Sequence, residues 1–133
     1  MTVLSWIQFQ AMFVVWANGD GNIAFRASTN SGSSFGGAKI LSNDGDSSNP
    51  QISSSGNAVR IVWEGGNPNS DVFFRASGNQ GSSFGSTKNL SNNDGDSNDP
   101  QIVSSGGKIY VVWSDDTDNT PRNFDILFKK GVD

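Results

Sequence analysis

Three short apolar runs, each closing on tryptophan, recur along the chain: Met12-Phe-Val-Val-Trp16, Val59-Arg-Ile-Val-Trp63 and Ile109-Tyr-Val-Val-Trp113. β-Branched and aromatic residues dominate them, and runs this short bounded by polar turns read as strands. They are apolar on both faces, which predicts strands covered by further layers on both sides. A polar turn follows each, at residues 17–22, 64–70 and 114–123, and then a further strand at residues 23–26, 72–75 and 126–129. A weaker strand is expected around residues 39–42 and 88–91. Before the second and third tryptophan runs stand Asn49-Pro-Gln-Ile52 and Asp99-Pro-Gln-Ile102, each predicting a short strand opened by proline. The corresponding place in the first unit falls on residues 3–5, which have neither proline nor Gln-Ile. Residues 2–5 also resemble residues 88–91, and both assignments stay open.

Between the last two strands of a unit lies Ser28-Thr-Asn-Ser-Gly-Ser-Ser-Phe35, and 49 residues later Ser77-Gly-Asn-Gln-Gly-Ser-Ser-Phe84. In the shared pattern Ser-x-Asn-x-Gly-Ser-Ser-Phe, the asparagine can bond neighbouring backbone N–H groups. The glycine can take a positive φ, and the aromatic can pack back on the turn. The pattern resembles the Asp box of the sialidase-like β-propellers, with Asn30 and Asn79 in place of aspartate. What the resemblance implies is an all-β fold, a propeller arc of four-stranded antiparallel blades. The box residues Ser28, Asn30, Gly32, Phe35, Ser77, Asn79, Gly81 and Phe84 would then be structural turns, away from the ligand-binding face. Four short strands per roughly 50 residues fit such blades. The units run over about residues 1–48, 49–98 and 99–133 of a single domain, the third incomplete, with Asp133 at the Asn30 and Asn79 position. A propeller closes with at least about four blades. An arc of fewer leaves two faces and a strand edge open to association. The expectation is therefore a homo-oligomer, most simply two chains giving six blades, with an N-terminal strand filling a partner's missing outer position. The rival is an open fragment, or a piece of a longer protein.

Composition removes many chemistries. The 133 residues contain no histidine and no cysteine, which excludes disulfides, Ser-His and Cys-His nucleophile pairs and the usual zinc sites. A net charge of −4 without a basic cluster argues against nucleic acid and for a mildly acidic, soluble surface. No run approaches the roughly 20 apolar residues of a membrane span. The apolar N-terminal segment lacks a positive leading region and is interrupted by Gln8 and Gln10, so no convincing signal peptide is read and the compartment stays unassigned.

The sialidase resemblance brings an enzymatic expectation to test: an arginine triad, a tyrosine nucleophile with a glutamate partner, and an aspartate acid. Here the only tyrosine is Tyr110 and the only glutamate Glu64. Tyr110 aligns with Phe13 and Arg60, which suits a packed strand aromatic. Arg26, Arg75 and Lys129 occupy one equivalent place, which suits pairing between blades with carboxylates or carbonyls more than a converging triad. No catalytic residue is assigned, and a glycoside hydrolase is the lesser alternative. Arg60 and Glu64 depart from the repeat, about 13 Å apart along one strand face; Arg60 is a ligand candidate or a partnered charge. The loops carrying Asp44, Asp46, Asp94 and Asp96 place oxygens at alternate positions around glycine, as calcium sites do, although Asp, Asn and Gly also form ordinary turns. Apart from that weak calcium alternative no cofactor is expected. Asp115, Asp116 and Asp118 read as a solvated acidic loop. Trp16, Trp63 and Trp113 are candidate sugar-stacking platforms, as in propeller lectins, or packing residues between blades. The leading expectation is a non-catalytic binding module for glycan; a structural or protein-interaction scaffold without a small ligand is the second.

Overall fold

The computed structural model describes residues 10–117 and 125–131. The open strand assignment of residues 2–5, Asp118, and the third box position at Asp133 lie outside them. The described elements are all strands: β1 Met12–Ala17, β2 Ile23–Ser28, β3 Lys39–Ile40, β4 Ser48–Ser55, β5 Ala58–Gly65, β6 Asp71–Ser77, β7 Lys88–Asn89, β8 Ser97–Ser105, β9 Lys108–Asp115 and β10 Asp125–Lys130. They form three antiparallel sheets in the orders β1-β2-β3, β4-β5-β6-β7 and β10-β9-β8. No helix among the described residues is long and apolar enough to cross a membrane.

The register of the sheets repeats. Trp16 pairs with Ala24, and Trp63 with Phe73. The short strands β3 and β7 are held the same way, with the N–H groups of Leu41 and Leu90 each donating to a carbonyl of the neighbouring strand, Ile23 and Val72, at 2.7 Å. Alternation along β5 then divides its side chains between two cores. Val59, Ile61 and Trp63 join Ile23, Phe25 and Leu41 of the first sheet. Val62 turns the other way and joins Val72, Phe74 and Leu90 against Ile109, Val111 and Trp113 of the third sheet. The sheets are thus stacked in chain order, the middle one covered on both faces.

The stack corrects one sequence expectation. All three tryptophan runs predict burial on both faces, yet only β5 achieves it. In β1, Phe13 and Val15 pack on the inner core while Met12 and Val14 are exposed. In β9, Tyr110 and Val112 lie opposite Lys130 and Phe128 on the outer face, while Ile109, Val111 and Trp113 are inside. The end strands carry the sequence of a covered strand without the second cover.

The proline strands also differ from expectation. β4 and β8 begin two or three residues before Pro50 and Pro100, and the register against β5 and β9 shifts between Ser48 and Gln51 and between Asn98 and Gln101. Each proline sits in a bulge whose preceding residue, Asn49 or Asp99, takes a positive φ of 48° or 52°. A bulge on an outermost strand leaves a residue out of the ladder, which is where a missing N–H does no harm.

Candidate functional site

The two box turns share one hydrogen-bond pattern. The Ser28 hydroxyl donates to Asn30 Oδ1 at 2.8 Å and accepts the Gly32 N–H at 2.9 Å; Asn30 Oδ1 accepts the Ser34 N–H at 2.9 Å, and its Nδ2 donates to the Ser34 hydroxyl at 2.8 Å. Ser77, Asn79, Gly81 and Ser83 make the same four bonds at the same distances. Gly81 has a φ of 78°, and a Cβ there would stand 2.4 Å from the ring of Phe25, so the turn both needs glycine and presses on the neighbouring sheet. The turn side chains are consumed by the turn itself.

The opposite ends of the strands gather the carboxylates. Asp115 is buried, 3% exposed. Its Oδ2 accepts bonds from Ser97 Oγ at 2.6 Å, Asn93 Nδ2 at 2.7 Å and Trp113 Nε1 at 3.2 Å, while Oδ1 accepts from Thr117. Burial alone pushes this carboxyl up, but the bonds from Ser97, Thr117 and Asn93 favour the anion and hold it at about 2, below the ordinary value of 3.8. The reading of Asp115 as a solvated loop residue is overturned, because hydroxyl and amide donors surround it; Asp116 is half-buried and accepts the Asp96 N–H. The signal for the difference was its position two residues after tryptophan, where the other units have Asn18 and Gly65.

The first Asp-Gly-Asp loop is knit by bonds of its own and the second is tied to the loop between β5 and β6. Both oxygens of Asp44 accept from Ser47 Oγ, at 2.8 and 3.0 Å, and Asp96 Oδ1 accepts the Ser70 N–H at 2.9 Å. Asp94, Asp96 and Asp116 line a polar pocket of about 350 Å³ with Asn69 and Thr117. Among the described residues no three carboxylates come close enough together to hold a metal ion.

A second opening lies where the second and third sheets meet, at the end of β5. Glu64, Asn98, Asp99 and Ser114 line a cleft of about 540 Å³. Glu64 Oε1 accepts from Ser48 Oγ at 3.0 Å and Asn49 Nδ2 at 2.7 Å, and its Oε2 accepts the Asp99 N–H at 2.7 Å. One carboxylate therefore joins the bulges of β4 and β8, and the strained positive-φ residues Asn49 and Asp99 are held by it. Ser114 Oγ donates to the Asn98 carbonyl at 3.1 Å. The cleft is walled by hydroxyl, amide and carboxylate groups, which suit a polyhydroxylated ligand.

The other candidates are dispersed. Trp63 and Trp113 lie in the two inter-sheet cores, 1% and 4% exposed, and among the described residues only Trp16 presents a half-buried indole on an outer face. Tyr110 stacks on Phe128, centroids 6.0 Å apart, on the outer face of the third sheet. Arg60 is half-buried on the side of β5 that turns to the third sheet, alternating with Ile61 and Trp63. Arg75 Nη1 donates to the Leu41 carbonyl at 2.8 Å and Lys129 Nζ to that of Leu90 at 3.1 Å, so the equivalent cations do bridge consecutive sheets. Comparison with protein-family models, with curated proteins and with solved structures finds no match for the chain.

Proposed function

We propose that the chain is a non-catalytic binding module built from sialidase-like β-propeller blades, and that its ligand is a glycan held in the cleft at the end of β5. The observation that carries this reading is the cleft of about 540 Å³ lined by Glu64, Asn98, Asp99 and Ser114. Sugar hydroxyls, which both donate and accept, are matched by such groups, the carboxylates accepting and the amide and hydroxyl able to do either, and a carboxylate already oriented by three donors binds without further ordering. The doubled eight-residue box and the repeated sheet register support the blade reading. A glycosidase is disfavoured because Tyr110, which such an enzyme would pair with Glu64, is not among the residues that line the cleft with Glu64; its ring stacks on Phe128 instead. The test is a glycan array probed with the labelled chain and with Ser114→Tyr, which fills the cleft. A set of glycans bound by the parent and lost by the variant is expected; no bound glycan, or binding unaffected by the filled cleft, overturns the reading. A fluorogenic sialoside is expected to show no turnover.

A further inference from the structure

The exposed large hydrophobic side chains of the described residues are Met12, Val14, Phe35, Ile40, Val103, Ile126 and Phe128, and they divide between the two ends of the stack. The first four belong to the outer side of the first sheet, the last three to the outer side of the third. The repeat identifies what each side is. Val14 and Trp16 hold in β1 the places of Ile61 and Trp63 in β5, which are buried under Phe25 of the preceding sheet. Phe128 holds in β10 the place of Phe25 in β2 and Phe74 in β6, both buried against the sheet that follows. Phe128 itself is 58% exposed.

One end therefore presents a socket and the other the plug that fills it elsewhere in the chain. Val14, Trp16, Arg26 and Phe35 line a pocket of about 260 Å³ on the first sheet. At the equivalent place on the second sheet, Phe25 meets Phe84 edge-on, centroids 5.0 Å apart. Phe84 is half-buried by that contact, whereas its counterpart Phe35 is exposed. The polar contacts follow the same rule. Arg75 and Lys129 each donate to a carbonyl of the preceding sheet, and Arg26, their equivalent, is exposed at the edge of the socket.

We propose that the third sheet of one copy docks on the first sheet of a second copy, with Phe128 entering the pocket between Trp16 and Phe35. The occupant is another copy of this chain because the same pairing of faces is already made twice within it, and one molecule carries both halves. The contact is heterologous, so it runs head to tail and either closes into a ring or extends. It rests on the stacking of the sheets and not on the glycan reading: Val14 stands on the first sheet, away from the cleft residues Glu64, Asn98, Asp99 and Ser114, so Val14→Asp tests association with the cleft unaltered.

The experiment is size-exclusion chromatography with light scattering over a wide concentration range, on the parent, Val14→Asp, Phe128→Asp and an equimolar mixture of the two variants. The parent is expected above 14.1 kDa, at a stable multiple of it where the ring closes and at a mass that grows with concentration where the contact extends, and each variant alone as a monomer. The mixture retains one intact socket and one intact plug, and is expected at twice 14.1 kDa and no more. Both substituted side chains are exposed in the single copy, so far-UV circular dichroism of the variants is expected to match the parent. A parent that stays monomeric overturns the proposal. So does Phe128→Asp with the parental mass, as a contact between two first-sheet faces would give, or a mixture that stays monomeric.

Discussion

Trp63 and Trp113 occupy the same place in consecutive units but differ in one bond. Trp113 Nε1 donates to Asp115, whereas Trp63 Nε1 is buried with no partner, because the residue two positions on is Gly65. An aspartate cannot simply be restored there, since a Cβ on Gly65 would stand 2.9 Å from Ser47 Oγ and 3.2 Å from the Asp46 carbonyl. Trp→Phe removes similar volume at both sites, but it relieves an unpaired donor at one and breaks a charge-assisted bond at the other. Trp113→Phe is therefore expected to cost about 1–3 kcal/mol more than Trp63→Phe in urea unfolding. Asp115 makes a second prediction. Its carboxyl is depressed in the folded chain, so its contribution is complete above the unfolded value near 3.8 and is lost as the pH falls from there through about 2. Over that window stability is expected to drop by about 2 kcal/mol on this account. Asp115→Asn is expected to be less stable at neutral pH and to flatten the acid limb; an unchanged slope would show that other carboxylates carry it.

At the scale of the turn, the box predicts an asymmetry between substitutions. Asn79→Asp keeps the acceptor for Ser77 Oγ and the Ser83 N–H, and the Ser83 hydroxyl can turn to donate, so a change within about 0.5 kcal/mol is expected. Asn79→Ala leaves those donors without the acceptor and is expected to cost about 1–2 kcal/mol. Gly81→Ala adds left-handed strain to a collision with Phe25, and a loss of about 2–4 kcal/mol is expected, readable as a fall in the thermal midpoint. The eight-residue pattern made this turn legible, because every residue type in it has one geometric job and the pattern occurs twice. Strand positions were legible for the same reason, through three aligned tryptophan runs. The bulges at Pro50 and Pro100 were not, since a proline opening a strand and a proline inside a bulge leave the same trace in sequence. Nor was the cleft: it depends on Glu64 reaching from the middle sheet to Asp99 of the next, a contact between units that no spacing encodes. Charge alternation around Gly45 and Gly95 reads first as turns, with calcium the weaker alternative, and the bonds to Asp44 within its own loop and to Asp96 from Ser70 of the neighbouring loop are ones a turn makes.

Across the whole molecule, the two inter-sheet cores are continuous with the two open faces, so folding and association draw on the same kind of contact. Each internal core couples an aromatic plug to a tryptophan-walled socket, and the plug at Phe128 and the socket at Trp16 remain outside the single copy. If copies dock through them, association binds only folded chains and must raise apparent stability with concentration. A chain held at about 100 times its dissociation constant gains about 2.7 kcal/mol. For a domain of this size that is on the order of 10 °C in the thermal midpoint. The parent is therefore expected to melt later as it is concentrated, with a midpoint linear in the logarithm of concentration, while Phe128→Asp melts at one temperature throughout. A midpoint independent of concentration in the parent, with a mass of one chain, would mean that the two open faces are tolerated as they stand and that the stack of three sheets is stable through its two internal cores alone.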